Sequence, residues 1–313
     1  MILLESENLL IKDLLGKHFN QPGPVDQTLT DFDGVRYHVE STKTGPLTLS
    51  MGIHWYQDLA QNGAFDILKR EYGPYIKSET NVGYNITLEF DQSNIPADPT
   101  ARTELVRSLS LLKRNAMAAP FERAFAIQNK LEKEAEAAAG QQLEPVKPEV
   151  MIIRYRDDEA FYVIPSVDRV TVVFSTVFQD ETDRIFGKVF LQEFVDARRQ
   201  PSIQNAPQVL YSNREPPLEI RSIPGLSRGE DVGYVTFVLF PRHFTNPDVA
   251  HSTISRIQLF RDYLHYHIKC SKAYMHSRMR HRVAEFLKVL NRAKPEQAEK
   301  ERKTASGRTF RRA

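Results

Sequence analysis

The sequence has little cysteine, little glycine and no long apolar run. Its single cysteine, Cys270, excludes an internal disulfide and suits a reducing cytosol. The longest apolar runs, such as 234–240, fit buried strands and are far too short to span a bilayer. The N-terminal residues lack a basic region followed by a long apolar core, so no signal peptide is expected. These absences favour a cytoplasmic protein without membrane insertion.

Common catalytic and nucleotide-binding motifs are also missing. There is no Gly-x-x-x-x-Gly-Lys-Ser/Thr loop, no Gly-x-Gly-x-x-Gly after a strand, no Gly-x-Ser-x-Gly elbow and no His-Glu-x-x-His. With 14 glycines in 313 residues, the backbone cradles that nucleotide enzymes use are scarce. The sequence therefore favours a protein that is not an enzyme and that binds no cofactor.

The remaining candidates for chemistry are histidines, the cysteine and two acidic clusters. His267 and Cys270 share a helix side but supply two ligands where a structural zinc site needs four. We therefore expect packed or hydrogen-bonded histidines, a packed Cys270 thiol and no metal site. The acidic clusters at 157–159 and 180–183 fall at a hairpin turn and a helix start, where carboxylates have local structural roles.

The apolar pattern predicts an α+β fold. Val35, Tyr37 and Val39 alternate with polar residues, as in a half-buried strand. Strands are expected at about 34–41, 47–55, 82–90, 150–156, 160–164, 170–178, 208–212 and 233–240. Because short turns join many of them, we expect mostly antiparallel sheets, each with helices on one face.

The two halves of the chain resemble each other. Residues 83–90 parallel residues 233–240, and in each half a Pro-containing turn and a helix come next. Between the halves lies an Ala/Glu-rich segment that cannot bury a core. The predicted organisation is a first α+β domain (1–131), a flexible linker (132–148), a second, similar α+β domain (149–247), a long C-terminal helix that packs on the second domain and projects (248–294), and a basic tail (295–313).

The long helix is predicted from residues 248–294, which contain no proline or glycine. Asn246 and Pro247 suit its start, and Pro295 ends it. Its apolar residues form two stripes, and a helix with two stripes must be covered on two sides. The first stripe is Ile254, Ile257, Leu264, Ile268, Met275, Met279, Phe286 and Leu290, and the second is Leu259, Tyr263, Cys270 and Tyr274.

The C-terminal end is strongly basic. Residues 276–313 carry twelve Lys/Arg against four Glu, a net charge of +8, whereas the whole chain has +2. Such an end implies an acidic partner: an actin-like protein, nucleic acid or an anionic lipid. Nucleic acid is not expected, because Phe310 is the one aromatic among the basic residues after the helix and no zinc-finger or RNA-recognition signature occurs.

Nine runs of this sequence match a known family: 1–5, 31–35, 112–115, 168–178, 214–219, 237–243, 260–274, 278–280 and 286–293. These runs closely resemble the p-thirty-four subunit family, subunit 2, of the actin-related protein 2/3 complex. The resemblance covers nearly the whole chain and is weakest at 132–148 and 293–313.

The resemblance implies a non-catalytic core subunit of an assembly that nucleates branched actin filaments in the cytoplasmic actin cytoskeleton. It implies pairing with subunit 4 through long helices, contact with the other subunits, including both actin-related proteins, and contact with the mother actin filament. The filament contacts carried over by position are Arg278, Arg282, Lys288, Arg292 and Lys294, and the partner-subunit interface is Ile257, Leu264, Ile268, Met275, Phe286 and Leu290. An alternative is a scaffold module that binds anionic lipid or phosphoinositide through the basic C-terminal region.

Overall fold

The computed structural model describes residues 4–42, 45–91, 93–138, 149–197, 200, 205–293, 302–303 and 309–310. The chain divides into two compact units, Met1–Tyr266 and His267–Ala313. No helix within the described ranges is both long enough and apolar enough to cross a membrane.

Both halves of the chain contain strands and helices. The helices are α1 (Leu9–Asn20), α2 (Tyr56–Ala60), α3 (Ala64–Tyr72), α4 (Pro99–Ser110), α5 (Leu112–Ala116), α6 (Ala119–Ala137), α7 (Glu181–Ala197), α8 (Pro247–Gln258) and α9 (Phe260–Arg292). The strands are β1 (Val25–Thr30), β2 (Arg36–Ser41), β3 (Leu47–Gly52), β4 (Ile86–Phe90), β5 (Met151–Ile153), β6 (Phe161–Pro165), β7 (Val170–Val177), β8 (Gln208–Asn213), β9 (Val232–Leu239), β10 (Arg302–Lys303) and β11 (Thr309–Phe310).

The predicted α+β class is confirmed, with two antiparallel main sheets. The first sheet has the order β1-β2-β3-β4 and the second the order β5-β6-β7-β9-β8, while β10 and β11 pair with each other. The similar segments found in the sequence become β4 and β9, and β4 pairs with β3 as β9 pairs with β7. In the second sheet, β8 adds a further strand beyond β9.

The second sheet is covered on both faces. All eight residues of β9 are buried. On one face the ring of Phe260, at the start of α9, lies 4.8 Å from Phe237 and 5.5 Å from Phe174. On the other, Ile220 from the irregular segment after β8 packs with Tyr234. Burial on both faces explains why β7 and β9 are continuous apolar runs rather than alternating ones.

The predicted helix 248–294 is divided at Leu259 into α8 and α9. Its start is as expected, because the Asn246 side chain accepts hydrogen bonds from the backbone N–H groups of Asp248 and Val249. At Leu259, φ is −80° and ψ is −7°, so the backbone departs from regular α-helical values but stays in the right-handed helical region. The Leu259 carbonyl still accepts from Tyr263 N at 3.0 Å. No proline or glycine marks this break in the sequence. It adjoins Phe260, which packs between Phe174 and Phe237.

The two halves pack directly on each other within the first unit. Phe121 of α6 stacks on Phe161 of β6 at 5.7 Å, and Phe125 stacks on Phe244 at 4.3 Å. Arg114 donates to the His251 carbonyl at 2.7 Å, which joins α5 to α8. Of the predicted linker, residues 132–137 belong to α6. Ala138 caps that helix, and the rest of the linker, from 139 to 148, lies outside the described residues.

Candidate interaction surfaces

The predicted filament-binding residues form a basic face of α9, defined as Arg278, Arg282, Lys288 and Arg292. At about 100° per residue these side chains cover an arc of about 120°. All four are exposed. Arg282 lies 3.7 Å from Glu285, and Arg278 donates to the Tyr274 hydroxyl at 2.9 Å. Lys288 and Arg292 have no ion pair among the described residues. Lys294 lies outside the described residues.

An apolar face lies beside the basic one, defined as Met275, Met279, Phe286 and Leu290. These residues fall within an arc of about 60° on the helix. Their exposed fractions are 41%, 59%, 62% and 49%. Every residue from Ala273 to Ala293 is exposed. The described part of α9 therefore presents an uncovered apolar surface next to an uncovered cationic one, which is uncommon in a protein that acts alone.

The predicted partner interface separates into two groups by burial. Ile257, Leu264 and Ile268 expose only 4%, 0% and 1% of their surface, so this chain leaves almost none of it to a partner. Met275, Phe286 and Leu290 belong to the apolar face and stay exposed. The second group is therefore accessible in the described chain, whereas the first packs within it, and the partner-interface assignment stays a prediction.

Comparison with known proteins decides the family. The model of the "Arp2/3 complex, 34 kD subunit p34-Arc" family matches residues 49–297, most of the chain. The "Actin-related protein 2/3 complex subunit 2" of Schizosaccharomyces pombe is 52% identical over 323 aligned residues, covering 100% of both chains. The protein of the same name from Dictyostelium discoideum is 39% identical and covers 99% of both. This chain belongs to the p34-Arc family.

Within this p34-Arc chain, the cysteine and the histidines depart partly from expectation. The predicted packing of Cys270 is wrong, because its thiol is exposed on α9. That side of the helix is not covered by the described chain, since Tyr274 is 60% exposed.

His243 has the structural role that was expected of the histidines. Its Nδ1 accepts from Phe240 N at 2.9 Å, its Nε2 lies 3.0 Å from the Asn205 carbonyl, and burial lowers its pKa.

A partly buried ion-pair cluster, which sequence reasoning missed, joins both halves to the start of α9. Its members are Asp33, Lys113, Arg156, Glu159, Arg261 and Asp262. Lys113 lies 2.6 Å from both Asp31 and Asp33. The predicted turn carboxylate Glu159 is in fact 5% exposed and accepts from Arg261 at 2.5 Å. Its position after two exposed aspartates gave no sign of this burial.

Two carboxylates of the cluster have pKa values shifted in opposite directions. Burial would raise the pKa of Asp33, but Lys113 and Arg156 outweigh burial and lower it. In the described part of the chain, the nearest cation to Asp262 is Arg261, at 4.0 Å, whereas Asp33 has Lys113 at 2.6 Å. Burial, followed by the negative charge of Asp33, raises the pKa of Asp262 to about 6. Asp33 and Glu159 are therefore each paired with a cation of the same chain, whereas the charge of Asp262 is less well compensated.

Proposed function

We propose that this chain is a non-catalytic structural subunit of the actin-related protein 2/3 complex, which nucleates branched actin filaments in the cytoplasmic actin cytoskeleton. The observation that carries the proposal is the 52% identity, over its full length, to a protein named as subunit 2 of that complex. A structural role also agrees with the buried carboxylates, because Asp33 and Glu159 are each bound by cations of the same chain.

We assign the apolar face of α9 to a partner subunit, subunit 4 of the complex. Fully burying a Met, Leu or Phe side chain contributes about 1.5–3 kcal/mol. The four side chains are about half exposed, so covering them contributes roughly 3–6 kcal/mol. That gain offsets part of the cost of association, and further contacts with the partner must supply the rest. The exposed fractions of Met275, Met279, Phe286 and Leu290 support an occupant of this kind.

We assign the basic face to the mother actin filament, whose surface is acidic. Lys288 and Arg292 are its most available charges, because neither has an ion pair in the described part of the chain. Exposed charges of this type contribute to encounter and to salt-dependent affinity more than to a rigid interface. The basic and apolar faces adjoin on one helix, so one element can hold a subunit and touch the filament.

Charge reversal tests the filament assignment. The Lys288→Glu, Arg292→Glu double variant, in the assembled complex, should leave subunit stoichiometry unchanged and weaken co-sedimentation with filaments by roughly tenfold at low salt. The loss should shrink as salt is added, because screening weakens the wild-type attraction. Lys130→Glu with Lys133→Glu makes the same charge change on exposed residues of α6 and is the matched control. Normal co-sedimentation of the α9 variant would rule out the basic face.

A further inference from the structure

A cleft between α7 and β8 carries a cluster of cations unrelated to the α9 surfaces. It is a cleft of about 210 Å³, open to solvent, within the first unit. Arg184 and Lys188 reach it from successive turns of α7, and Arg214 reaches it from the end of β8. One carboxylate, Glu230, lies among these cations. The lining therefore carries three positive charges against one negative charge. A second carboxylate, Glu181, lies outside the lining, 3.5 Å from Arg184.

The cleft already binds one carboxylate of the chain itself, that of Glu230. Its Oε1 lies 2.7 Å from Arg214 Nη2, and its Oε2 lies 3.5 Å from Arg184 Nη1. Yet the Glu230 side chain is 64% exposed, so it is held by these two guanidinium groups and little else. Lys188 has no ion pair among the described residues. The cleft can therefore accept further negative charge, or exchange Glu230 for the carboxylate of a ligand.

The backbone conformation of Arg214 indicates that the surrounding structure holds this residue in place. Among the residues that the structure describes, Arg214 is the one non-glycine residue with positive φ, at 71°. This conformation costs free energy in an L-residue and persists where surrounding structure enforces it, often at binding sites. The Arg214 N–H donates to the Val232 carbonyl at 3.1 Å, which holds the residue at the mouth of the cleft.

The other walls of the cleft suit a peptide rather than a simple anion. Ile185 is 56% exposed and gives an apolar wall on α7. Tyr211 forms part of the wall from β8, and its ring lies over Gly233, where a Cβ would be 3.1 Å from Tyr211 Cε2. In the described part of its sheet β8 is the edge strand, so an extended segment can align beside it.

From these features we propose that the α7–β8 cleft binds an acidic, extended segment of a partner protein, whose carboxylates take the place of Glu230 on Arg184 and Arg214. An apolar side chain of the segment packs against Ile185 and Tyr211. The site goes beyond the proposed function, because it uses no residue of α9. Within the described ranges, the cleft has no counterpart in the first half, because β8 is the strand added beyond β9 and the first sheet ends at β4.

The test uses the assembled complex and a fluorescein-labelled decapeptide of alternating Glu and Val, with a Gln/Val peptide as the uncharged control. We expect the Glu/Val peptide to bind, with an affinity that falls as salt rises, and the Gln/Val peptide to bind far more weakly. Lys188→Gln with Arg214→Gln should weaken binding by about tenfold. Glu230→Gln should strengthen binding several-fold, because it removes the competing carboxylate.

The opposite signs of these two effects keep the proposal falsifiable, since a misfolded variant cannot bind more tightly. Lys130→Gln with Arg169→Gln is the matched control, because it removes the same charge outside the cleft. Arg169 precedes the first residue of β7, and that end of the strand lies away from the cleft. A photo-crosslinker on the peptide should label 184–188 or 211–214.

Three results would overturn the proposal. The first is labelling confined to other subunits or other segments. The second is a Glu230→Gln variant that binds no better than wild type. The third is an unaffected peptide affinity in Lys188→Gln with Arg214→Gln, while binding to phosphatidylserine-containing vesicles is lost. That last result would make the cleft a lipid site instead.

Discussion

Arg261 donates from Nε to Glu159 Oε2 at 2.5 Å, and the two side chains expose only 15% and 5% of their surface. Arg261 lies in the first turn of α9, and Glu159 lies two residues before β6. The Glu159 carboxylate also accepts from Val177 N at 3.1 Å. This ion pair fixes the start of the long helix on the second sheet, and the helix carries both proposed interaction faces.

Breaking this pair from one side should be costly. Glu159→Gln keeps an acceptor for Val177 N but leaves Arg261 buried without its carboxylate, so we expect a loss of about 3 kcal/mol in the free energy of unfolding. The control is Arg154→Gln, which removes an exposed partner of Asp58 at 3.5 Å and should cost less than about 1 kcal/mol. Thermal unfolding of the purified assembly measures both. Equal shifts in the two variants would contradict the buried-pair account.

Asp262 should make stability depend on pH in a defined window. Its pKa is raised from 3.8 to about 6, so between these pH values the folded state binds a proton that the unfolded state has released. The contribution of Asp262 is therefore present below pH 4 and is lost as pH rises through about 6.

Asp262→Asn removes this titration, which gives a direct measurement. The stability of the variant relative to wild type should rise between pH 4 and 6, by on the order of 2 kcal/mol. Scanning fluorimetry of both proteins at each pH gives the difference and cancels the contributions of other groups. A difference that does not change across the window would show that Asp262 titrates normally in the folded protein.

Gly233 leaves little room for a side chain. A Cβ there would lie 3.1 Å from Tyr211 Cε2 and 3.3 Å from its hydroxyl, so the Tyr211 ring must shift by a few tenths of an ångström. We expect Gly233→Ala to cost about 1–2 kcal/mol. Gly16→Ala in α1 is the matched control, because nothing lies within 4 Å of its Cβ, and it should be neutral or stabilising by up to about 1 kcal/mol. Unfolding midpoints that move in the same direction would disprove the argument.

The apolar face of α9 predicts a loss of partner binding without a loss of folding. Phe286→Glu with Leu290→Glu places two charges on side chains that are 62% and 49% exposed, so the chain itself should remain folded. Association with the partner subunit should weaken at least tenfold, because two apolar contacts are replaced by buried charges. Co-expression and pull-down measure the association. The Lys288→Glu, Arg292→Glu variant is the comparison and should retain the partner.

Much of the fold could be predicted because burial leaves a clear pattern in strands. Alternation located β2, and the apolar runs of β7 and β9 located the centre of the second sheet. The first strand, Val25–Thr30, was not predicted, because four of its six residues are polar and most are exposed. Such an edge strand forms by pairing with β2, and backbone pairing leaves little trace in the side chains.

The surfaces could be predicted only in part, because periodicity does not report how far a core extends. Leu264 and Leu290 lie on the same helical stripe, yet one is fully buried and the other is 49% exposed. The break at Leu259 and the burial of Glu159 also depend on tertiary contacts, those of Phe260 and Arg261. Phe260 and Arg261 both contact residues that are far from them in the sequence, Phe174 and Glu159.

The most direct test of the account is the set of proteins that co-purify with this chain. An affinity tag on the chromosomal copy, at native abundance, followed by mass spectrometry under gentle salt, identifies them. The account predicts a stoichiometric assembly containing both actin-related proteins and subunit 4, with this chain present once per complex. Recovery of the chain alone, or with partners that include neither actin-related protein, would contradict it.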